Sequence, residues 1–432
     1  MRKLSLIFSL ALAAGSLLFA TDITLEGTVT IPQPGKDVWV TTIGGVDYAF
    51  VNAGEEGVRK IRISDRTEVA SFIPTAGAVK DIWVKDTLVF VANYGDTILY
   101  ILDGNLNPIG KIAEIAESAD TQYRAEAITV SPDTQNVVFI AVRRIVGSEQ
   151  SVFLYVVDAQ DLTNPGFAIV DTFSKTFSYC NDASDFRKWH SAIKVNANLI
   201  ADIFLAGHEK KFVANSTLLS NDSPGCARAW YLTDDDSVDV WHIAVLSADS
   251  SSASLAIYSY DYFHVTANQY YYYDAYHYGY HHCYPPFALK NDTIYYPLTD
   301  SLQDIYTFSS TKAYQMWVGS HAGTEYAFIA RGSDGLWVLP VHPGIGLSDD
   351  IGDPIISGYK ASDADDYRDV YIYGDLIFLA NYGDAPGEKL FSVLNAAALE
   401  DSTLEETASY NEFFGEGIWG DSLRVYVVGD SL

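Results

Sequence analysis

The chain is predicted to fold as an all-β propeller, and three observations carry that prediction. Residues 78–113 and 366–397 read as two copies of one unit. The first contains Asp81-Ile-Trp-Val-Lys-Asp-Thr-Leu-Val-Phe-Val-Ala-Asn-Tyr-Gly-Asp96, the second Asp369-Val-Tyr-Ile-Tyr-Gly-Asp-Leu-Ile-Phe-Leu-Ala-Asn-Tyr-Gly-Asp384. In both copies the segment after the first turn is apolar at every position, which a strand tolerates only with both faces covered. Related openings recur along the chain at a spacing of roughly 45 residues, the size of a four-stranded propeller blade.

The elements of the first copy follow in order. Ile82 to Val84 is a short β-rich run, broken by Lys85-Asp86-Thr87. Leu88 to Ala92 is the doubly buried second strand. Asn93-Tyr-Gly-Asp96 carries hairpin chemistry, with Gly95 free to take a positive φ. Ile98 to Leu102 and Ile109 to Ile112 supply the third and fourth strands, separated by a turn from Gly104 to Pro108.

Other copies begin at Asp37-Val-Trp-Val, Glu126-Ala-Ile-Thr-Val, Gln315-Met-Trp-Val and Glu416-Gly-Ile-Trp. Two looser ones begin at His190, with Ala206-Gly207 ending its second strand, and at Asp239-Val-Trp-His. Eight openings predict eight blades, with seven as the alternative count. Glu26-Gly-Thr-Val-Thr-Ile-Pro32 matches Glu68-Val-Ala-Ser-Phe-Ile-Pro74, a fourth strand. The N-terminal strand is therefore expected to complete the last blade and close the ring, leaving no open edges. Residues 21–432 form one propeller domain on this reading, with insertions near 176–238 and 262–286. Its last blade stops at Asp430-Ser-Leu432 where a third strand is due, as a truncated blade would.

Residues 1–20 read as an export signal: Arg2 and Lys3 open it, an apolar stretch from Leu4 to Leu18 follows, and Ala20 offers a cleavage point. That predicts an extracellular, cell-surface or periplasmic protein with no membrane span once the signal is removed. A formal net charge of −29 repels phosphate backbones, which argues against nucleic acid as a partner and in favour of cations, calcium above all. Of three cysteines, Cys180 and Cys226 are expected to form a disulfide in an oxidising compartment, leaving Cys283 as a thiol.

The copies at 37, 81, 315, 369 and 416 resemble the LVIVD-repeat β-propellers of exported bacterial and archaeal proteins. In that family an acidic residue precedes an apolar inner strand, then come an aromatic-apolar strand ending in Ala and a Gly/Asp hairpin. Asp369 to Asp384 fits this pattern closely, whereas residues 176–314 depart from it. The resemblance implies a surface or periplasmic binding scaffold and transfers no catalytic residue.

Two candidate sites stand out. If each inner strand starts at one end of the channel, then Asp37, Asp81, Glu126, His190, Asp239, Asp369 and Glu416 share one level and could ring a hard cation such as calcium. The competing reading gives these carboxylates a structural duty, accepting backbone N–H groups where blades meet. Gln315 breaks the acidic pattern. The second candidate is the segment from Asn268 to Tyr284. His277 and His281, four residues apart, would share one side of a helix, and with His282 and Cys283 could hold zinc or copper. Alternatively Tyr270, Tyr271, Tyr272, Tyr273, Tyr276, Tyr278 and Tyr280 form a ligand-binding loop, since aromatic rings bury apolar area while keeping a hydroxyl wet.

Nucleophile elbows, His-Glu-x-x-His zinc motifs and phosphate-cradling glycine loops are absent. The leading expectation is a non-catalytic exported propeller that binds a protein or carbohydrate at the cell surface. The alternative is a metal-dependent hydrolase or lactonase-like propeller with a cation at the central channel.

Overall fold

A computed structural model describes the chain from Thr24 to Asp430, apart from a set of internal segments. These are residues 114–120, 133–135, 168–191, 213–217, 224–225, 232–236, 265–269, 275–278, 284–293, 296–300, 343–350, 383–389 and 411–413, with positions 96, 164, 196 and 398. Before Thr24 only Leu4–Ser5 and Phe8–Ser9 are described. His190, Cys180, Tyr276, His277 and Tyr278 therefore lie outside the described residues, and with Cys180 the expected disulfide to Cys226.

The strand sequence repeats as predicted. The first copy forms Val79–Lys85, Leu88–Asn93, Thr97–Asp103 and Pro108–Ala113, paired antiparallel in chain order. Its second strand runs beside both neighbours, with Phe90 opposite Trp83 on one side and Ile101 on the other. Gly95 departs from expectation. It is not at a positive φ; it is small because a Cβ there would strike the Ala76 carbonyl. Chain reversal at a positive φ occurs instead at Asp86 (54°) and at Gly374 (59°).

Six sheets are complete in themselves, spanning residues 37–72, 79–113, 121–195, 199–307, 315–359 and 367–410. Each is antiparallel, and in chain order they are blades one to six. A further sheet joins Phe414–Gly420 and Arg424–Asp430 to the N-terminal segments Phe8–Ser9 and Thr24–Leu25, in that spatial order. The strand expected from Glu26 to Pro32 is not the one at this edge: Thr24–Leu25 takes the outer place and reaches the sheet through Phe8–Ser9. Phe8–Ser9 fill the third position there, whereas Thr28–Val29 pair with Leu4–Ser5.

The expected counts of eight or seven blades are corrected to six complete ones. Two expected openings collapse into one blade: Leu199–Phe212 is an inner strand, and Ser237–Ala248, which contains Asp239, is the second strand beside it. Asp239 pairs in register with Lys210, so it opens no blade. The triplet Asp239-Val-Trp241 imitates an opening, but Trp241 is fully buried between blades three and four. The final position contributes only two strands of its own.

The packing explains why the second strands are apolar on both faces. Phe50, Phe90, Phe139, Phe328 and Phe378, one from the second strand of each of five blades, are wholly buried. Each buried ring contributes roughly 1.5–3 kcal/mol. The buried apolar residues divide into seven clusters, each filling the gap between two adjacent sheets. One of them packs Tyr426 and Val428 of the closing sheet against Val38 and Val51 of blade one, which shuts the ring. At that seam Gly417 lies so close to blade one that a Cβ would stand 2.7 Å from the Asp37 Cα.

Blade four is the irregular one. Its first three strands, Leu199–Phe212, Ser237–Ala248 and Ala253–His264, run 14, 12 and 12 residues against 7 for the inner strand Asp37–Ile43. Two ribbons are inserted between its strands, Leu218–Ser223 with Cys226–Tyr231 and Tyr270–Asp274 with Gly279–Cys283. Cys226–Tyr231 lies beside Tyr270–Asp274. Among the described residues no helix is long and apolar enough to cross a membrane.

Candidate functional site

Side chains at positions i and i+2 of a strand share a face. The triplets Asp37-Val-Trp39, Asp81-Ile-Trp83, Asp202-Ile-Phe204 and Asp369-Val-Tyr371 therefore send an acid and an aromatic ring into the central channel together, the rings one step deeper. Gln315-Met-Trp317 does the same with an amide in place of the acid. Asp37, Asp81 and Asp369 stand where the sequence pattern put them. Asp202 was missed, although Asp202-Ile-Phe204 differs from Asp81-Ile-Trp83 only in its ring.

The carboxylates bond to backbone. Asp81 accepts the N–H of Ile82 at 2.8 Å and that of Ile128 in the next blade at 2.8 Å. Asp202 accepts from Ile203 at 2.8 Å and from Met316 at 2.7 Å. Asp369 takes Val370 and Ile418, each at 2.7 Å. One oxygen closes on its own strand and the other crosses to the neighbouring blade, so each acid staples a seam. Glu126, one methylene longer, reaches Ile200 of blade four at 3.3 Å and is paired with Arg143 at 2.5 Å. Asp37 accepts from Val38 at 2.6 Å and from the Trp39 side chain. Glu416 sits at the channel mouth, 3.4 Å from Lys36. The structural duty, accepting a backbone N–H where blades meet, is thus realised at Asp81, Glu126 and Asp369, and at Asp202 besides.

Burial is expensive for this ring. It pushes Asp37 up to about 7, against the hydrogen bonds from Val38 and Trp39. It pushes Asp81 to about 8, with the charge of Asp37 adding to the effect. Asp202 and Asp369 also rise well above the usual carboxylate range, through burial first and neighbouring aspartates second. Burial raises Glu126 too, and the Arg143 charge opposes it. Four desolvated carboxyls facing one channel cannot all ionise together. Among the described residues no three His, Cys, Asp or Glu side chains converge closely enough to hold one metal ion.

Replacing Asp202 by Ala leaves the Ile203 and Met316 N–H groups without their acceptors. The expected loss is about 2 kcal/mol, because each orphaned buried donor costs roughly 1–3 kcal/mol while removal of a desolvated acid offsets part. A urea midpoint equal to that of the unaltered chain would show that the staple contributes nothing.

Below the acids the channel is closed by rings. Trp39 meets Trp83 at 4.8 Å between centroids, Trp83 meets Phe204 at 5.4 Å, and Phe204 meets Trp317 at 4.9 Å. Trp317 continues to Tyr371 at 4.5 Å, and Tyr371 to Trp419 at 5.2 Å. Trp39 of blade one also touches Trp317 of blade five across the channel at 5.9 Å, so the plug fills the middle. A void of about 40 Å³ remains between acids and rings, enough for a few waters. Above the acids the mouth widens into a cavity of about 280 Å³.

The Tyr- and His-rich segment takes a form its sequence did not suggest. Residues Tyr270–Asp274 and Gly279–Cys283 are paired strands, with Tyr270 opposite Cys283, Tyr271 opposite His282, Tyr272 opposite His281 and Tyr273 opposite Tyr280. A helical spacing of His277 and His281 therefore has no basis, since His281 lies on a strand.

The architecture defines the chain as a β-propeller with a plugged channel. No family model matches the chain, and no curated protein does. Solved structures of similar overall shape include the β-propeller domain of Cps50 (Swd1) from Myceliophteria thermophila, with 7% identity, 90% of this chain and 91% of that one covered, and a TM-score of 0.47. The Pan2 WD40 domain of Neurospora crassa covers 92% of this chain and 89% of its own length, at 8% identity and a TM-score of 0.46. The computationally designed Ika8 protein covers 93% and 98%, at 9% identity and a TM-score of 0.41. These likenesses concern fold alone.

Proposed function

We propose that the chain is an exported, non-catalytic propeller scaffold that binds a protein or carbohydrate at the cell surface. The observation that carries this reading is blade four. Its strands run well past the seven residues of the inner strand of blade one, and the Tyr-rich pair Tyr270–Asp274 and Gly279–Cys283 is inserted between them. An added segment rich in tyrosine on a closed ring suits recognition. The start of the chain, with its two basic residues and apolar stretch, supports export; on that reading Leu4–Ser5 and Phe8–Ser9 leave the closing sheet when the signal is removed.

The test is deletion of residues 268–284, with capture scored on a glycan array and on intact cells of the source organism. The melting temperature of the ring is expected to stay within a few degrees of the full chain while capture disappears. Capture that survives the deletion would sink the proposal.

A further inference from the structure

The mouth of the channel has a chemistry its neighbours lack. Its cavity of about 280 Å³ has two unlike sides. Blades four and five supply an apolar wall of Leu199, Ala201 and Ala313, ending in the Tyr314 ring. Blades one and two stand across the channel and supply Lys36 and Lys80. In a chain with 56 acidic and only 27 basic residues, the mouth sets Lys36, Lys80 and Arg368 beside four carboxyls, of which Glu416 is paired with Lys36 and Glu126 with Arg143, while burial pushes Asp37 and Asp81 towards the neutral form.

The cations differ in how they are engaged. Lys36 is paired with Glu416 at 3.4 Å. Lys80 stands 4.9 Å from the centroid of the Tyr94 ring; among the described residues no ion pair holds it, though its charge acts on Glu126, which is itself paired with Arg143. At the flank, Arg368 of blade six lies flat on Tyr314 at 4.1 Å and is tied to Asp366 at 3.0 Å. Its Nε is buried without an acceptor. A guanidinium stacked on a ring and anchored at one end is a pre-positioned wall, not a floating charge.

We propose that this mouth binds a small amphipathic carboxylate, its head at Lys80 and its alkyl or aryl body against Leu199, Ala201 and the Tyr314–Arg368 stack. The two halves of the cavity match the two halves of such a ligand. The span from blade two to blades four and five runs across the channel, so head and body are read at opposite rims. The plug of aromatic rings beneath prevents the ligand from passing through, and the carboxyls that share the mouth, Asp37, Asp81, Glu126 and Glu416, restrict it to a single negative charge placed at Lys80. This site is separate from the ribbon of residues 270–283, and it stands or falls independently of the capture function proposed for that ribbon. A free organic acid and the C-terminal residue of a peptide present the same chemistry, and the probes below separate them.

The experiment titrates phenylacetate, N-acetylphenylalanine and the neutral phenylacetamide into the full chain at low salt, read by isothermal calorimetry. Expected is saturable binding of one carboxylate per chain, with phenylacetamide weaker by roughly tenfold, the worth of one charge-assisted contact. Lys80→Gln should lower carboxylate affinity to about that of the amide and leave the amide unchanged. Leu199→Ser should weaken acid and amide alike. N-acetylphenylalanine binding much more tightly than phenylacetate assigns the site to a peptide end, and parity assigns it to free acids. Because Lys80 is exposed, Lys80→Gln should melt with the unaltered chain, so loss of binding cannot be blamed on unfolding. Absence of saturation, equal affinity for acid and amide, or indifference to Lys80→Gln overturns the proposal. The deletion of residues 268–284 should retain this binding, which keeps failure at the mouth distinct from failure of the capture function.

Discussion

Raising the pH from about 5.5 to about 8 is expected to lower the melting temperature by several degrees. The cause is the channel acids. A free aspartate titrates near 3.8, whereas Asp37 is pushed up to about 7 and Asp81 to about 8, with Asp202 and Asp369 raised as well. In that window the folded chain holds protons that the unfolded chain has released. Stability is then full below the unfolded value and is lost as pH climbs through the folded ones. The slope is up to about 1.4 kcal/mol per pH unit for each group wholly protonated in the fold and wholly ionised outside it. The variant comparison decides the matter. Asp81→Asn should flatten the profile, because one of the titrating acids is gone and its neighbours lose a repelling charge. Thermal melts followed by circular dichroism at four or five pH values are sufficient. A melting temperature that is level or rises with pH, in the unaltered chain, would show that the ring is ionised throughout.

Trp317→Ala is expected to cost about 3–5 kcal/mol, more than the loss of any one channel acid. Trp317 is the hub of the plug: it touches Phe204 at 4.9 Å, Tyr371 at 4.5 Å and Trp39 across the channel at 5.9 Å. Its removal separates blades four, five, six and one at the axis, where no backbone hydrogen bonding is available to compensate. Trp419→Ala, at the end of the chain of rings and stacked on Tyr371, should cost less. Chemical denaturation of the two variants checks the ranking. Equal midpoints for Trp317→Ala and the unaltered chain would mean that the rings merely fill space already braced by the seams.

Much of this fold was legible because propeller blades repeat a periodic signal. The run Leu88 to Ala92, apolar throughout, could belong only to a strand covered on both faces, and its neighbours fell where the turn residues put them. The acid two places before an aromatic ring marked the inner strands, since both must face the channel. The same cue failed where it recurred by coincidence. Asp239-Val-Trp241 has the right letters, yet sits on a second strand, where the indole joins the core between blades. Asp304-Ile-Tyr306 repeats the trick on an outer strand, with Asp304 bonded to Ile305 and Ile351 as the channel acids are to theirs. Local pattern records what a side chain bonds to, and strand order is decided by pairing across a hundred residues. Asp202 was hidden for the converse reason: its ring is Phe204, and the long departures around it broke the expected spacing. The mouth cavity was not legible at all. Lys80, Leu199 and Arg368 come from three blades, and no spacing in one chain announces that they will face one another.

The rings that meet across the axis turn a tube into a cup. Traffic between the two faces of the disc is blocked at its centre, so an occupant of the mouth must leave by the way it came. The opposite face then answers to its own surroundings.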